Sequence, residues 1–367
     1  MRITIDVTAA QRHGGSAAAG IARYATDLTA ALRRRATADV IETFALGPGH
    51  GVERRLAWGD RRWRALAALS HHLPLDLESH LGPTDIFIAA DHVLPRLHRT
   101  RAIFVAYDFS FITAPQTHSR LNRLYLRAAM PAFLRAADAV VAISESTRSD
   151  AIRLYGLKPD AITVAPPGLG RRFATPIEPA QLTAARARYG LPERFALFVG
   201  TLEPRKNLAV VLRALARPAL SDVPLVVAGR PGWLFADTER LIESLGLQRR
   251  VLRIGRVPDD DLPALYSLAE VFTFPSLYEG FGLPVLEALA CGVPVIAADR
   301  SSLPEVVGDA GRLVAPEDVD GWEAALVELW QSAEARAELR ERGPARARAF
   351  SWDNAAQRIE ALCHDLL

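Results

Sequence analysis

Cysteine is nearly absent from this 367-residue chain, with Cys291 and Cys363 the only two. Both sit in apolar sequence and cannot make a disulfide framework, so they read as reduced packing residues. No run approaches the ~20 apolar residues that span a bilayer. Met1–Val7 reads as a strand and lacks the apolar core of a secretion signal. These absences make the cytoplasm the expected location and leave peripheral contact with a membrane open. The formal net charge of +2 gives no ground for a nucleic-acid partner. Short-period repeats and low-complexity tracts are missing. Lysine is scarce: of 44 Lys and Arg residues, only Lys158 and Lys206 are lysines.

What the chain does have is apolar sequence, 50% of its residues, enough for two cores rather than one. Short apolar runs alternate with longer helical stretches, the pattern of a parallel sheet covered on both faces. Strands are expected at Ile3–Val7, Ile41–Leu46, Ile86–Ala89, Ile103–Ala106, Ala139–Ile143 and Ile162–Val164. The pattern restarts with Phe195–Gly200, Leu225–Ala228, Val251–Ile254, Val271–Phe274 and Val295–Ala297. Between the halves, Ala165-Pro166-Pro167-Gly168-Leu169-Gly170 can continue neither helix nor strand and forms a stiff connector. The expected fold is α/β, two tandem Rossmann-like doubly wound domains facing each other across a cleft. Their bounds are 1–168 and 169–351, and a helix over 352–367 packs back on the first. Residues 1–170 carry 21 Lys and Arg against 15 Asp and Glu, whereas 171–367 carry 23 against 27. An anionic partner would therefore meet the first half first.

Two motifs in the second half carry chemistry. Gly200-Thr201-Leu202-Glu203-Pro204-Arg205-Lys206-Asn207 follows a strand and opens a helix. A strand-end glycine lets the backbone turn close to a ligand, and cations at such a turn suit phosphate oxygens. A lysine in so arginine-biased a chain points to a compact ammonium. The second motif, Tyr278-Glu279-Gly280-Phe281-Gly282-Leu283-Pro284, also follows a strand. Its glycines expose backbone amides to an anion, and Pro284 fits a first helical turn. Glu279 before the helix and Glu287 within it cannot face phosphate, but they can accept hydrogen bonds from sugar hydroxyls. Cations and amides around a diphosphate, with carboxylates on the sugars either side, describe a nucleotide-sugar site.

These blocks, G-T-L-E-P-R-K-N and E-x7-E with E-G-F-G-L-P, resemble family 4 of the retaining glycosyltransferases, which have a B-type fold of two Rossmann-like domains. The resemblance extends to Gly20-Ile21-Ala22-Arg23-Tyr24, Ile143-Ser144-Glu145-Ser146-Thr147 and Ser301-Ser302-Leu303-Pro304-Glu305-Val306. It implies that Arg205 and Lys206 neutralise the donor diphosphate, that Glu279 holds the donor sugar and that Glu287 holds the ribose. It also places Gly200 and Thr201 at the turn, the backbone of Gly280, Phe281, Gly282 and Leu283 on sugar and phosphate, and Arg256 and Val257 at the base. Gly14, Gly15 and Gly20 of the first domain would come near the diphosphate. The acceptor, a saccharide or lipid-linked saccharide, would bind the first domain. No metal or further cofactor is implied, since two cations already face the diphosphate. The first motif is similar to that of mannosyltransferases of surface polysaccharide assembly, which favours GDP-mannose over UDP-sugars.

One position departs from the family pattern. Where many relatives have His-Asp after the fourth long strand, this chain has Tyr107-Asp108. Tyrosine cannot act as an imidazole base at neutral pH. Asp108 is then the second candidate there, with a structural turn as the other reading. The run Asp259-Asp260-Asp261 resembles a metal-holding motif, but its place before a helix is explained by capping. The segment 54–75 gathers five arginines around Trp58 and Trp63, which suits either an anionic membrane surface or an ordinary amphipathic helix. A nucleotide-sugar epimerase and a non-catalytic partner subunit are the rival functions. The first strand lacks a following G-x-G-x-x-G turn, which argues against a nicotinamide-dependent oxidoreductase.

Overall fold

The computed structural model describes residues 1–11, 20–48, 50–173, 175–232 and 235–367. Two compact units emerge, Met1–Gly168 with Ser351–Leu367, and Leu169–Phe350. Each is built on one parallel sheet. The first unit holds β1 (Arg2–Asp6), β2 (Val40–Leu46), β3 (Arg54–Leu56), β4 (Ile86–Ala89), β5 (Arg101–Ala106), β6 (Ala139–Ala142) and β7 (Ile162–Val164). Their order across the sheet is β3-β2-β1-β4-β5-β6-β7. The second unit holds β8 (Ala196–Val199), β9 (Leu225–Ala228), β10 (Val251–Gly255), β11 (Val271–Phe274), β12 (Val295–Ala298) and β13 (Gly311–Val314), in the order β10-β9-β8-β11-β12-β13. Two Rossmann-like α/β domains are thus present.

The central strands are buried along almost their whole length because helices cover both faces of each sheet, and most of their residues are apolar. All four residues of β4 are buried, as are all four of β11. Each sheet reverses its strand order once, between β1 and β4 in the first unit and between β8 and β11 in the second. The chain ends of such sheets leave a crevice at that reversal, beyond the carboxyl ends of the strands.

The last helix, Trp352–Asp365, belongs to the first unit and lies on the helix Gly20–Arg35. Trp352 meets Tyr24 edge to face at 5.3 Å, and Arg35 pairs with Glu360 at 2.7 Å. Gly168 makes room for this return, since a Cβ there would lie 2.1 Å from the backbone nitrogen of Trp352.

The segment 54–75 is not one amphipathic element. Arg54–Leu56 forms the edge strand β3, and a helix runs from Asp60 to Ser70. Trp63 is 1% exposed against Phe44, with Trp58 packed on Trp63 and on His80. The two tryptophans therefore face the core, where their large apolar area has the nearest cover. Among the described residues no helix is long and apolar enough to cross a membrane.

Candidate active site

The loops at the carboxyl ends of β8 and β11 flank the strand reversal of the second unit, and backbone contacts stitch them together. Leu277 N donates to Arg205 O at 2.8 Å. Asn207, held at φ +51, sends its side-chain amide to Pro275 O and Pro316 O at 3.2 and 2.7 Å. A single turn, Pro204–Lys206, aims two consecutive cations at the second loop.

Lys206 Nζ lies 2.7 Å from Glu279 Oε1, with both residues only 8% exposed. The ammonium also sits 4.8 Å from the centroid of Phe274. Arg205 reaches Glu279 Oε2 at 2.9 Å and Tyr278 O at 2.8 Å. Its other edge is held by Glu203, whose Oε1 accepts from Nε at 3.1 Å and from Nη2 at 2.8 Å. Burial alone would raise the Glu279 carboxyl, but Arg205 and Lys206 outweigh it and hold the pKa at about 2. Burial pulls Lys206 below the usual lysine range, against the opposing pull of Glu279. A buried charge cluster of this kind is stable only while each ion keeps its partner. Such a pair of cations can also be met by an anionic ligand in place of Glu279.

The second loop is fixed from beneath by two serines to which the sequence reading gave no role. Ser301 Oγ accepts from Glu279 N at 2.9 Å. Ser302 Oγ lies 2.9 Å from Glu279 O and 2.7 Å from Phe281 O. Gly282 precedes the helix Leu283–Ala290 at φ +111, and a Cβ there would come within 2.8 Å of the Leu303 side chain. Only glycine fits that turn without strain. Glu287 lies on the same helix, 5% exposed, and accepts from Tyr266 OH at 3.2 Å. Gly200 and Thr201 directly follow β8. Arg256 and Val257 follow β10, the first exposed and the second 6% exposed.

Other sequence candidates lie in the first unit. Tyr107 is 5% exposed and donates its hydroxyl to Ala90 O at 2.9 Å. Burial, with Tyr24, Asp91 and Asp6 adding to it, pushes this phenol well above the usual tyrosine range. Tyr107 is therefore a packing residue whose hydroxyl is already engaged. Asp108 accepts from Ser110 N at 2.9 Å and from Ser110 Oγ at 2.5 Å, the geometry of an Asx turn. Gly20 opens the helix Gly20–Arg35, whereas Gly14 and Gly15 lie outside the described residues.

The aspartate run needs a correction. Asp261 occupies the position before the helix Leu262–Leu268, yet its side chain makes no capping bond. It takes Arg188 at 2.9 Å and the Tyr189 hydroxyl at 2.5 Å. Arg172 pairs with Asp259 at 3.2 Å and with Asp260 at 3.6 Å. Nearby arginines, a stronger attraction than a backbone amide, claim these carboxylates.

A family model described as glycosyl transferases group 1 matches residues 184–346, and one described as glycosyltransferase family 4 matches residues 18–170. The O-antigen chain mannosyltransferase B of Escherichia coli is 37% identical over 258 residues, 69% of this chain and 68% of that protein. A serotype-specific mannosyltransferase, WbdA, also from Escherichia coli, is 35% identical over 227 residues, 60% of this chain but 28% of its own length. Among solved structures, sucrose-phosphate synthase from Thermosynechococcus elongatus superposes with a TM-score of 0.81 at 21% identity, covering 100% of this chain and 99% of that one.

Proposed function

Since the chain belongs to the family 4 glycosyltransferases, we propose that it moves a hexose, with retention at the anomeric carbon, from a nucleotide-diphosphate sugar to a saccharide or lipid-linked saccharide acceptor. GDP-mannose is the favoured donor, ahead of UDP-sugars, and the process served is assembly of a surface polysaccharide. Support for the donor and the process comes from the mannosyltransferase relatives. The observation that carries the site is the buried trio of Arg205, Lys206 and Glu279 at the strand reversal of the second unit.

In this reading Arg205 and Lys206 bind the diphosphate and stabilise the charge that grows on it as the bond to the anomeric carbon breaks. The amides of Gly280, Phe281, Gly282 and Leu283 share that charge. Glu279 turns to the hexose hydroxyls and Glu287 to the ribose. Gly200 and Thr201 let the phosphates approach, while Arg256 and Val257 border the base. The acceptor oxygen bonds to the anomeric carbon, and its proton leaves with the departing phosphate. No enzyme base and no divalent ion is required in this scheme. Asp108 is left the role of a hydrogen-bond acceptor beside the first unit's strand ends. Transfer of radiolabelled mannose from GDP-mannose should fall by orders of magnitude in Lys206→Ala and in Glu279→Ala, with circular dichroism unchanged. Near-normal rates in both variants would mean the site is misplaced.

We also propose that the protein works in the cytoplasm, held peripherally on an anionic membrane. The support is an exposed, basic and apolar surface. Arg61 and Arg62 are exposed on the helix Asp60–Ser70, where Leu69 is 45% exposed. On the helix Arg120–Ala136, which has no acidic residue, Leu121 and Leu124 are 82% and 68% exposed beside Arg120 and Arg127.

A further inference from the structure

Among the described residues, three that are not glycine have a positive φ: His92 at +57, Asn207 at +51 and Ser301 at +52. Asn207 and Ser301 hold the two loops of the donor site, so two of the three strained positions already belong to functional machinery. Any residue other than glycine holds this conformation at a cost, and such strain persists where the surrounding structure requires it. His92 lies at the counterpart place in the first unit. It follows β4, the strand that meets β1 at the reversal of strand order. Ligands of open parallel sheets bind beyond the strand ends at that point.

The chemistry gathered there is polar. Asp6 ends β1 and is 1% exposed, and Asp91 precedes His92 and is 5% exposed. Both carboxylates lie near enough to Tyr107 to act on its hydroxyl. The imidazole of His92 is half-buried and meets the Tyr107 ring edge to face, with centroids 5.0 Å apart. Tyr107 stands where the family pattern has a histidine, and its hydroxyl is committed to Ala90 O. An imidazole therefore reaches the same neighbourhood from the adjacent strand, carried by a backbone held in a costly conformation.

We infer that His92 is an acceptor-contacting residue, its imidazole hydrogen-bonding a hydroxyl of the saccharide acceptor at the strand reversal of the first unit. Imidazole suits this task, since one ring nitrogen donates and the other accepts when the ring is neutral. The inference rests on the reading of the chain as a glycosyltransferase that uses a nucleotide sugar.

The test uses His92→Asn and His92→Gly in the full chain, because both residues tolerate a positive φ and remove the imidazole. Three quantities are measured: stabilisation by GDP-mannose, slow hydrolysis of GDP-mannose without acceptor, and kcat/KM for a mannoside acceptor. The expected result is melting temperatures at or above that of the wild type, with donor stabilisation and hydrolysis unchanged. Acceptor kcat/KM should fall at least tenfold, mainly through KM. Transfer within twofold of the wild type in both variants would make His92 a turn residue and overturn the inference. A parallel fall in hydrolysis would move the imidazole to the donor and overturn it too. A wild-type protein that no nucleotide sugar stabilises would instead refute the donor-site reading, and this inference with it.

Discussion

Single residues decide the electrostatics at the strand reversal of the second unit. Glu279 is the clearest case, because burial would raise its carboxyl and two cations instead hold it at about 2. A carboxyl depressed in the folded state adds stability that is complete above its ordinary range, near pH 4.3, and is lost as pH falls toward 2. The contribution at neutral pH is roughly 3 kcal/mol. Glu279→Gln should therefore be less stable than the wild type at pH 7, where Lys206 keeps its charge and loses its partner. Between pH 5 and 2.5 the wild type should lose more stability than the variant, so the two urea midpoints converge. Curves that stay parallel down to pH 2.5 would show that Glu279 is not coupled to the cations. At this scale the sequence was informative where chemistry is unusual and silent where geometry decides. A lysine in an arginine-rich chain marked Lys206, and two spaced carboxylates marked Glu279 and Glu287. The burial of Tyr107 and the pairing of Asp261 with Arg188 depend on neighbours far along the chain, and the positive φ of His92 is a backbone property, so spacing could not reveal them.

Elements were legible in proportion to their burial. β4, β11 and β12 are buried at all four positions and stand out as apolar runs. The two strands that escaped the sequence reading, β3 and β13, are both sheet edges with half-exposed side chains. An edge strand covered on fewer sides needs fewer apolar residues and loses its signature. The same limit explains 54–75, where arginines and tryptophans suggested a single amphipathic face. The tryptophans went to the core, and the exposed apolar side chains are leucines instead, Leu69 and Leu73 within the segment and Leu121 and Leu124 on the helix Arg120–Ala136. If this surface meets a membrane, wild-type protein should float with vesicles rich in anionic lipid at low salt and release as salt rises. Leu121→Ser with Leu124→Ser should reduce flotation several-fold without altering the far-UV spectrum. An absence of wild-type flotation at low salt would end the membrane proposal.

The whole molecule repeats one solution in two units. Each parallel sheet reverses its strand order once, and each reversal is bordered by loops carrying a non-glycine residue in a left-handed conformation. Placing reactive groups at such points puts them at the ends of rigid strands, where their positions are set by the sheet rather than by loop packing. The two-sheet plan was legible because alternating strands and helices restart after Ala165–Gly170, where prolines and glycines interrupt both. The central claim is that the second unit's reversal binds a nucleoside-diphosphate sugar through Arg205 and Lys206. The most direct measurement is the melting temperature with GDP, UDP, ADP and TDP and their sugar conjugates, all in EDTA. At a hundred times its dissociation constant a ligand adds about 2.7 kcal/mol, enough to raise the melting temperature by several degrees. Such a rise is expected with GDP and GDP-mannose, and its loss is expected in Lys206→Ala. No rise with any nucleotide, or an equal rise in the variant, would contradict the central claim.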